Sequence, residues 1–143
     1  VVFHRDINIG LAVALEEGLI VPVVKNADRK TLQEIAAETS DLIARAREGT
    51  LVSADVKGGT FTISNLGPYG IEAFTAIINP PEVGILAVGA TIQEVVALGE
   101  GVFGVQPVMR VTLSADHRVV DGAVAARFME DLKTRLEDPL EML

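Results

Sequence analysis

Two strand-like runs, Val83 to Leu98 and Val102 to Ala115, are separated only by Gly99-Glu100-Gly101. A connection that short joins antiparallel neighbours, so the chain is committed to a long β-hairpin. The second run delivers the segment Ser114-Ala115-Asp116-His117-Arg118-Val119-Val120-Asp121-Gly122, after which the pattern turns helical. Val124, Phe128, Leu132 and Leu136 recur at steps of four, and the helix stops before Pro139.

The earlier part of the chain supplies more strands and one further helix. Ile9, Leu11, Val13 and Leu15 alternate with Asn8, Gly10, Ala12 and Ala14, a strand with one small-residue face. Glu16-Glu17-Gly18 turns the chain into a second strand, Leu19 to Val24, which pairs back as a hairpin; Pro22 marks an edge or a bulge. From Thr31 to Glu48, Leu32, Ile35, Ala36, Leu42, Ile43 and Ala46 fall at helical spacing opposite Glu34, Glu38, Asp41, Arg45 and Arg47, and Gly49 ends the helix. Thr60 to Leu66 reads as a strand with Phe61, Ile63 and Asn65 on one face and Thr62 and Ser64 on the other. The loop from Gly67 to Pro81 ends in Ile78-Asn79-Pro80-Pro81, where each proline fixes its own φ and restrains the residue before it. These elements predict a two-layer α/β sandwich in which two helices pack on one side of a mixed sheet.

Composition removes several function classes. Twelve basic against 20 acidic residues give a net charge of −8, so no basic stripe is available for nucleic acid. With no cysteine, disulfides, cysteine-ligated zinc and a cysteine nucleophile are excluded; two distant histidines, His4 and His117, make a poor metal site, and none is expected. No apolar run approaches the ~20 residues that span a bilayer, so no membrane role is expected. The 143 residues favour one domain, and a start on Val inside an apolar run suggests that the chain begins partway through a larger one.

His117 is the strongest candidate for chemistry. An imidazole with a pKa near ~6.5 exists as a free base at neutral pH and can accept a proton during reaction. Asp121, four residues on, can orient a neighbouring group, although a plain N-cap for the following helix explains it equally. Ser64 lacks a Gly-x-Ser-x-Gly elbow, so it suits hydrogen-bond donation to an oxyanion better than nucleophilic attack. The plain alternative for Ser64 is a hydroxyl bonded to nearby backbone.

In order along the chain, Asn8-Ile9-Gly10, Gly18-Leu19-Ile20-Val21-Pro22, Gly59-Thr60-Phe61-Thr62-Ile63-Ser64-Asn65-Leu66-Gly67, Ile78-Asn79-Pro80-Pro81-Glu82 and Asp116-His117-Arg118-Val119-Val120-Asp121-Gly122 resemble the catalytic domain of the dihydrolipoamide acyltransferases, the E2 core components of 2-oxo acid dehydrogenase complexes. The resemblance covers essentially the whole chain and implies a chloramphenicol acetyltransferase-like fold. It implies CoA-dependent acyl transfer with no covalent acyl-enzyme: His117 as general base, Ser64 as hydrogen-bond donor to the tetrahedral intermediate, and Asp121 as an orienting or proton-handling group. CoA contacts carry over to Ser64, Asn65 and Gly89. The family's His and Ser meet between adjacent subunits of a trimer, and trimers build a hollow cubic or dodecahedral core that works with E1 and E3 components and a lipoyl domain. Its members sit in the bacterial cytoplasm or the mitochondrial matrix.

The resemblance also implies that residues 1–143 are the C-terminal part of one such catalytic domain. The N-terminal part of the domain, the lipoyl domain with its lipoyl group, and the subunit-binding domain are not in this sequence. Acetyl is expected over branched-chain or succinyl groups, since Thr62 to Gly67 and Ile77 to Pro81 look most like pyruvate-complex members. The competing readings are a non-catalytic core scaffold, against which His117 argues, and acetylation of a small hydroxyl compound, against which the upstream E2-type segments argue.

Overall fold

The computed structural model describes residues 1–142, and Leu143 of the expected domain lies outside the described residues. Its elements are β1 (Ile9–Ala14), β2 (Leu19–Ile20), β3 (Val23–Val24), α1 (Leu32–Glu48), β4 (Phe61–Asn65), β5 (Gly84–Gly99), β6 (Val102–Ala115) and α2 (Gly122–Glu137). The strands form one mixed sheet in the order β2-β1-β4-β5-β6, with β3 also paired to β1. β1, β4 and β5 run parallel to one another, and β6 returns antiparallel to β5.

The second strand expected as one run, Leu19 to Val24, is two short pieces. Its register is nevertheless unbroken: Ile9 opposes Val24, Gly10 opposes Val23, Val13 opposes Ile20 and Ala14 opposes Leu19. Between them Leu11 N–H donates to the Pro22 carbonyl at 2.8 Å, and Pro22 has no N–H to return. The interruption is therefore a missing donor on an edge strand, with no inserted residue and so no bulge.

α1 begins at a capping box. The Thr31 hydroxyl accepts from Glu34 N–H while the Glu34 carboxylate accepts from Thr31 N–H, and Gly49 ends the helix with φ at 70°. Leu42 and Ala46 are its buried residues, and the helix packs on β3 and β1. Asn8 ties three segments together just before β1: its Oδ1 accepts from Asn26 N–H at 2.9 Å, its Nδ2 donates to Gly58 O at 2.7 Å, and its N–H donates to Thr60 Oγ1 at 3.0 Å. Those bonds set β1 beside β4 in register, with Ile9 opposite Phe61 and Ala12 opposite Ser64.

Register also sorts the faces. Phe61, Ile63, Leu86 and Leu113 share one face; Thr62, Ser64, Ile85, Ala87 and Thr112 share the other. α2 lies on the first face, where Phe128 meets Phe61 with ring centroids 5.9 Å apart. The second face is covered near β5 by the loop after β4. There Ala90 N–H donates to Ile71 O at 2.8 Å and Ser114 Oγ donates to Ala76 O at 2.7 Å.

Beyond Val88, β5 pairs only with β6, so the hairpin projects from the sheet as a two-stranded arm. Its turn takes φ of 101°, 49° and 79° at Gly99, Glu100 and Gly101, a left-handed path that explains the two glycines. Val95, Phe103 and Val105 on the arm are each at least 65% exposed, and α2 leaves Val124, Phe128 and Leu136 more than 40% exposed.

Candidate active site

The end of β6 is held to the start of β5 through Asp116. Its N–H donates to Val83 O at 2.9 Å, and its own carbonyl accepts from Val119 and Val120 N–H, both at 2.9 Å. Its side chain takes a two-pronged bond from Arg118, Nε to Oδ1 at 2.9 Å and Nη2 to Oδ2 at 2.7 Å, plus Arg118 N–H to Oδ1 at 3.0 Å. Arg118 holds the Asp116 carboxyl down at about 2. Arg118 thus pairs with Asp116, two residues before it.

His117 sits between them, exposed, at the rim of an open cleft of about 490 Å³. Ile78, Pro80, Pro81 and Glu82 form one wall, and Ala115, Asp116 and Arg118 the other. Among the described residues no side chain hydrogen-bonds either ring nitrogen of His117. Asp121, exposed at the foot of α2, accepts Val124 N–H at 2.8 Å through Oδ1, so it is an N-cap in this chain.

Ser64 lies elsewhere. It opposes Ala87 on β5, which opposes Thr112 on β6, and β6 must run three residues further to reach Ala115 before turning to His117. At ~3.3 Å per residue and ~4.8 Å per strand, Ala115 is ~10 Å along and ~10 Å across from Ser64. One chain therefore does not bring the hydroxyl and the imidazole within hydrogen-bond reach. Asn65, exposed at the end of β4, closes an Asx turn by accepting Gly67 N–H at 2.9 Å. Gly89 is buried, and a Cβ there would lie 1.9 Å from Glu72 O, so its lack of a side chain lets the loop cross β5.

One residue of the cleft, the last of the Ile78-Asn79-Pro80-Pro81-Glu82 motif, is given no role by the sequence. Glu82 Oε2 accepts from the Thr62 hydroxyl at 2.6 Å, and partial burial pushes its carboxyl up while that bond opposes the shift. Among the described residues no three His, Asp or Glu side chains gather as a metal-ligand group, and no helix is long and apolar enough to cross a membrane.

With this geometry in place, similarity to known proteins is extensive. All of residues 1–143 match the family model described as 2-oxoacid dehydrogenases acyltransferase (catalytic domain). The mitochondrial dihydrolipoyllysine-residue acetyltransferase component of the pyruvate dehydrogenase complex of Schizosaccharomyces pombe is 50% identical over 142 residues, 98% of this chain and 29% of that protein. The chain superposes on Azotobacter vinelandii dihydrolipoamide acetyltransferase (E2p) with a TM-score of 0.92 and 42% identity, covering 97% of this chain and 57% of that one; the roles of a serine, a histidine and an asparagine in that enzyme's catalytic mechanism have been investigated. A cubic core of the pyruvate dehydrogenase multienzyme complex matches with a TM-score of 0.92 at 41% identity, over 97% of this chain and 57% of that one. The chain thus spans about a third of the length of the curated relatives it matches.

Proposed function

The chain belongs to the catalytic-domain family of the 2-oxoacid dehydrogenase acyltransferases, with their chloramphenicol acetyltransferase-like fold, and we propose that it transfers acetyl between dihydrolipoamide and CoA at a site shared by two copies of the chain. A thiol with a pKa near ~8.5 is mostly protonated at neutral pH. His117, exposed and with no side-chain partner for its ring nitrogens among the described residues, takes that proton as the sulfur bonds to the thioester carbonyl carbon. The carbonyl electrons move to oxygen, where Ser64 of the neighbouring copy donates its hydroxyl; collapse expels the second sulfur, which recovers the proton from His117. Ser64 is the group whose effect is realised in the transition state.

The observation that carries this reading is the separation of Ser64 from His117 on one sheet. Each end of the sheet offers half of a site. A second copy completes both, and the exposed apolar arm of β5 and β6 is surface that such a copy would cover. The cubic core formed by a relative supports assembly on that pattern. In the A. vinelandii enzyme the asparagine follows the histidine by four positions, the spacing of Asp121 from His117 here. That spacing supports an orienting role for Asp121 beside its capping of α2.

Ser64 and Asn65, at the end of β4, offer hydroxyl and amide to CoA, whereas Gly89 acts through the loop packed upon it. The acyl group arrives on a lipoyl domain, with E1 and E3 as the further partners. The bacterial and mitochondrial relatives support a bacterial cytoplasmic or mitochondrial matrix setting. The test is acetyl transfer from acetyl-CoA to dihydrolipoamide, followed alongside the mass of the assembly. Turnover confined to trimers or larger particles is expected; an intact trimer without turnover would favour a scaffold.

A further inference from the structure

Thr62 is 1% exposed, and its hydroxyl is directed at one carboxylate, Glu82 Oε2, at 2.6 Å. The seat depends on two glycines from other segments. A Cβ at Gly59 would lie 2.6 Å from Glu82 Oε1, and one at Gly10 would lie 2.9 Å from Thr62 Oγ1. Among the described residues Glu82 forms no ion pair. A hydroxyl, two vacated positions and no cation describe a seat for a hydrogen-bond acceptor, whatever its charge.

From that seat bonded contacts lead to His117. Glu82 N–H donates to Asn79 O at 3.0 Å and closes the turn that places Ile78 to Pro81 along the cleft. The next residue, Val83, accepts the Asp116 N–H, and Asp116 in turn accepts Val119 and Val120 N–H around His117. We propose that Glu82, seated by Thr62, is a positioning residue that anchors the turn carrying His117 and the cleft wall facing it. Thr62 and Ser64 point to the same face of β4, so one strand fixes the hydroxyl of one half-site and the imidazole of the other. The catalytic part of this inference rests on the acyl-transfer reading; the anchoring does not.

The experiment compares Glu82→Gln, Glu82→Met and Thr62→Val in the assembled protein, by steady-state acetyl transfer and by amide hydrogen exchange at Val119 and Val120. Gln keeps the acceptor and Met removes it at similar volume. Glu82→Met and Thr62→Val are expected to lose ~10-fold or more in kcat with KM for CoA nearly unchanged, because misplaced catalytic groups act on the transition state. Both should exchange the two amides ~10-fold faster, while Glu82→Gln restores rate and protection. The two Glu82 variants decide the matter if Thr62→Val fails to fold. Unchanged exchange in Glu82→Met, or Glu82→Gln behaving like Glu82→Met, would overturn the anchoring. Faster exchange at an unchanged kcat would overturn its catalytic part. An unaltered rate in His117→Ala sinks the acyl-transfer reading instead, and the exchange measurement still decides the anchor.

Discussion

Ser64 and His117 lie toward opposite ends of one sheet, two strands apart, with Ser64 level with Thr112 and His117 beyond the end of the same strand. Removing the hydroxyl should therefore leave the His117 cleft of its own chain intact. Ser64→Ala is expected to lower kcat ~10²-fold with KM for CoA little changed, the mark of a donor that acts on the developing oxyanion. An equal rise in KM would instead assign Ser64 to ground-state binding.

Asp121 has a visible structural task, the cap on Val124 N–H, and a proposed orienting one. Asn caps a helix about as well as Asp, so Asp121→Asn should unfold in urea at nearly the wild-type midpoint, whereas Asp121→Ala should lose ~1 kcal/mol. Activity in Asp121→Asn then reports the charge alone, free of the lost cap.

The Arg118 guanidinium holds Asp116 down at about 2, below the ordinary 3.8. Because the folded value is depressed, the stability that this pair contributes is present above pH 3.8 and is lost as pH falls through about 2. Arg118→Met should return Asp116 toward 3.8, read from the titration of its carboxyl carbon in NMR, and the His117 turn should already be looser above pH 3.8, with less further loosening on acidification than in the wild type.

Gly89 packs under a backbone carbonyl, which cannot swing aside as a side-chain tip would. Gly89→Ala should destabilise by at least ~1–3 kcal/mol and lower Tm. If Gly89 served CoA alone, the variant would keep its Tm and raise KM for CoA.

The long hairpin, both helices and the strand carrying Ser64 are legible in the sequence because periodicity and punctuation are local. What covers a face is not local. The four-residue stripe of α2 predicts a buried face, yet Val124, Phe128 and Leu136 stay more than 40% exposed, since the stripe records apolar character and not its partner. Glu82 shows the same limit. Its seat is assembled from Gly10, Gly59 and Thr62, distant in sequence, and no spacing around Glu82 announces it. The split of the second strand at Pro22 was visible as a proline, but only register shows that the interruption is a missing donor without an inserted residue.

In the proposed function each active site takes its imidazole from one copy and its hydroxyl from another. His117→Ala and Ser64→Ala proteins, each expected to fall ~10²-fold or more in acetyl transfer when assembled alone, would be unfolded together and reassembled as mixed particles. Mixing is expected to restore activity, because some interfaces then pair an intact His117 with an intact Ser64. Mixed particles no more active than either parent, with exchange of subunits verified by mass, would contradict it.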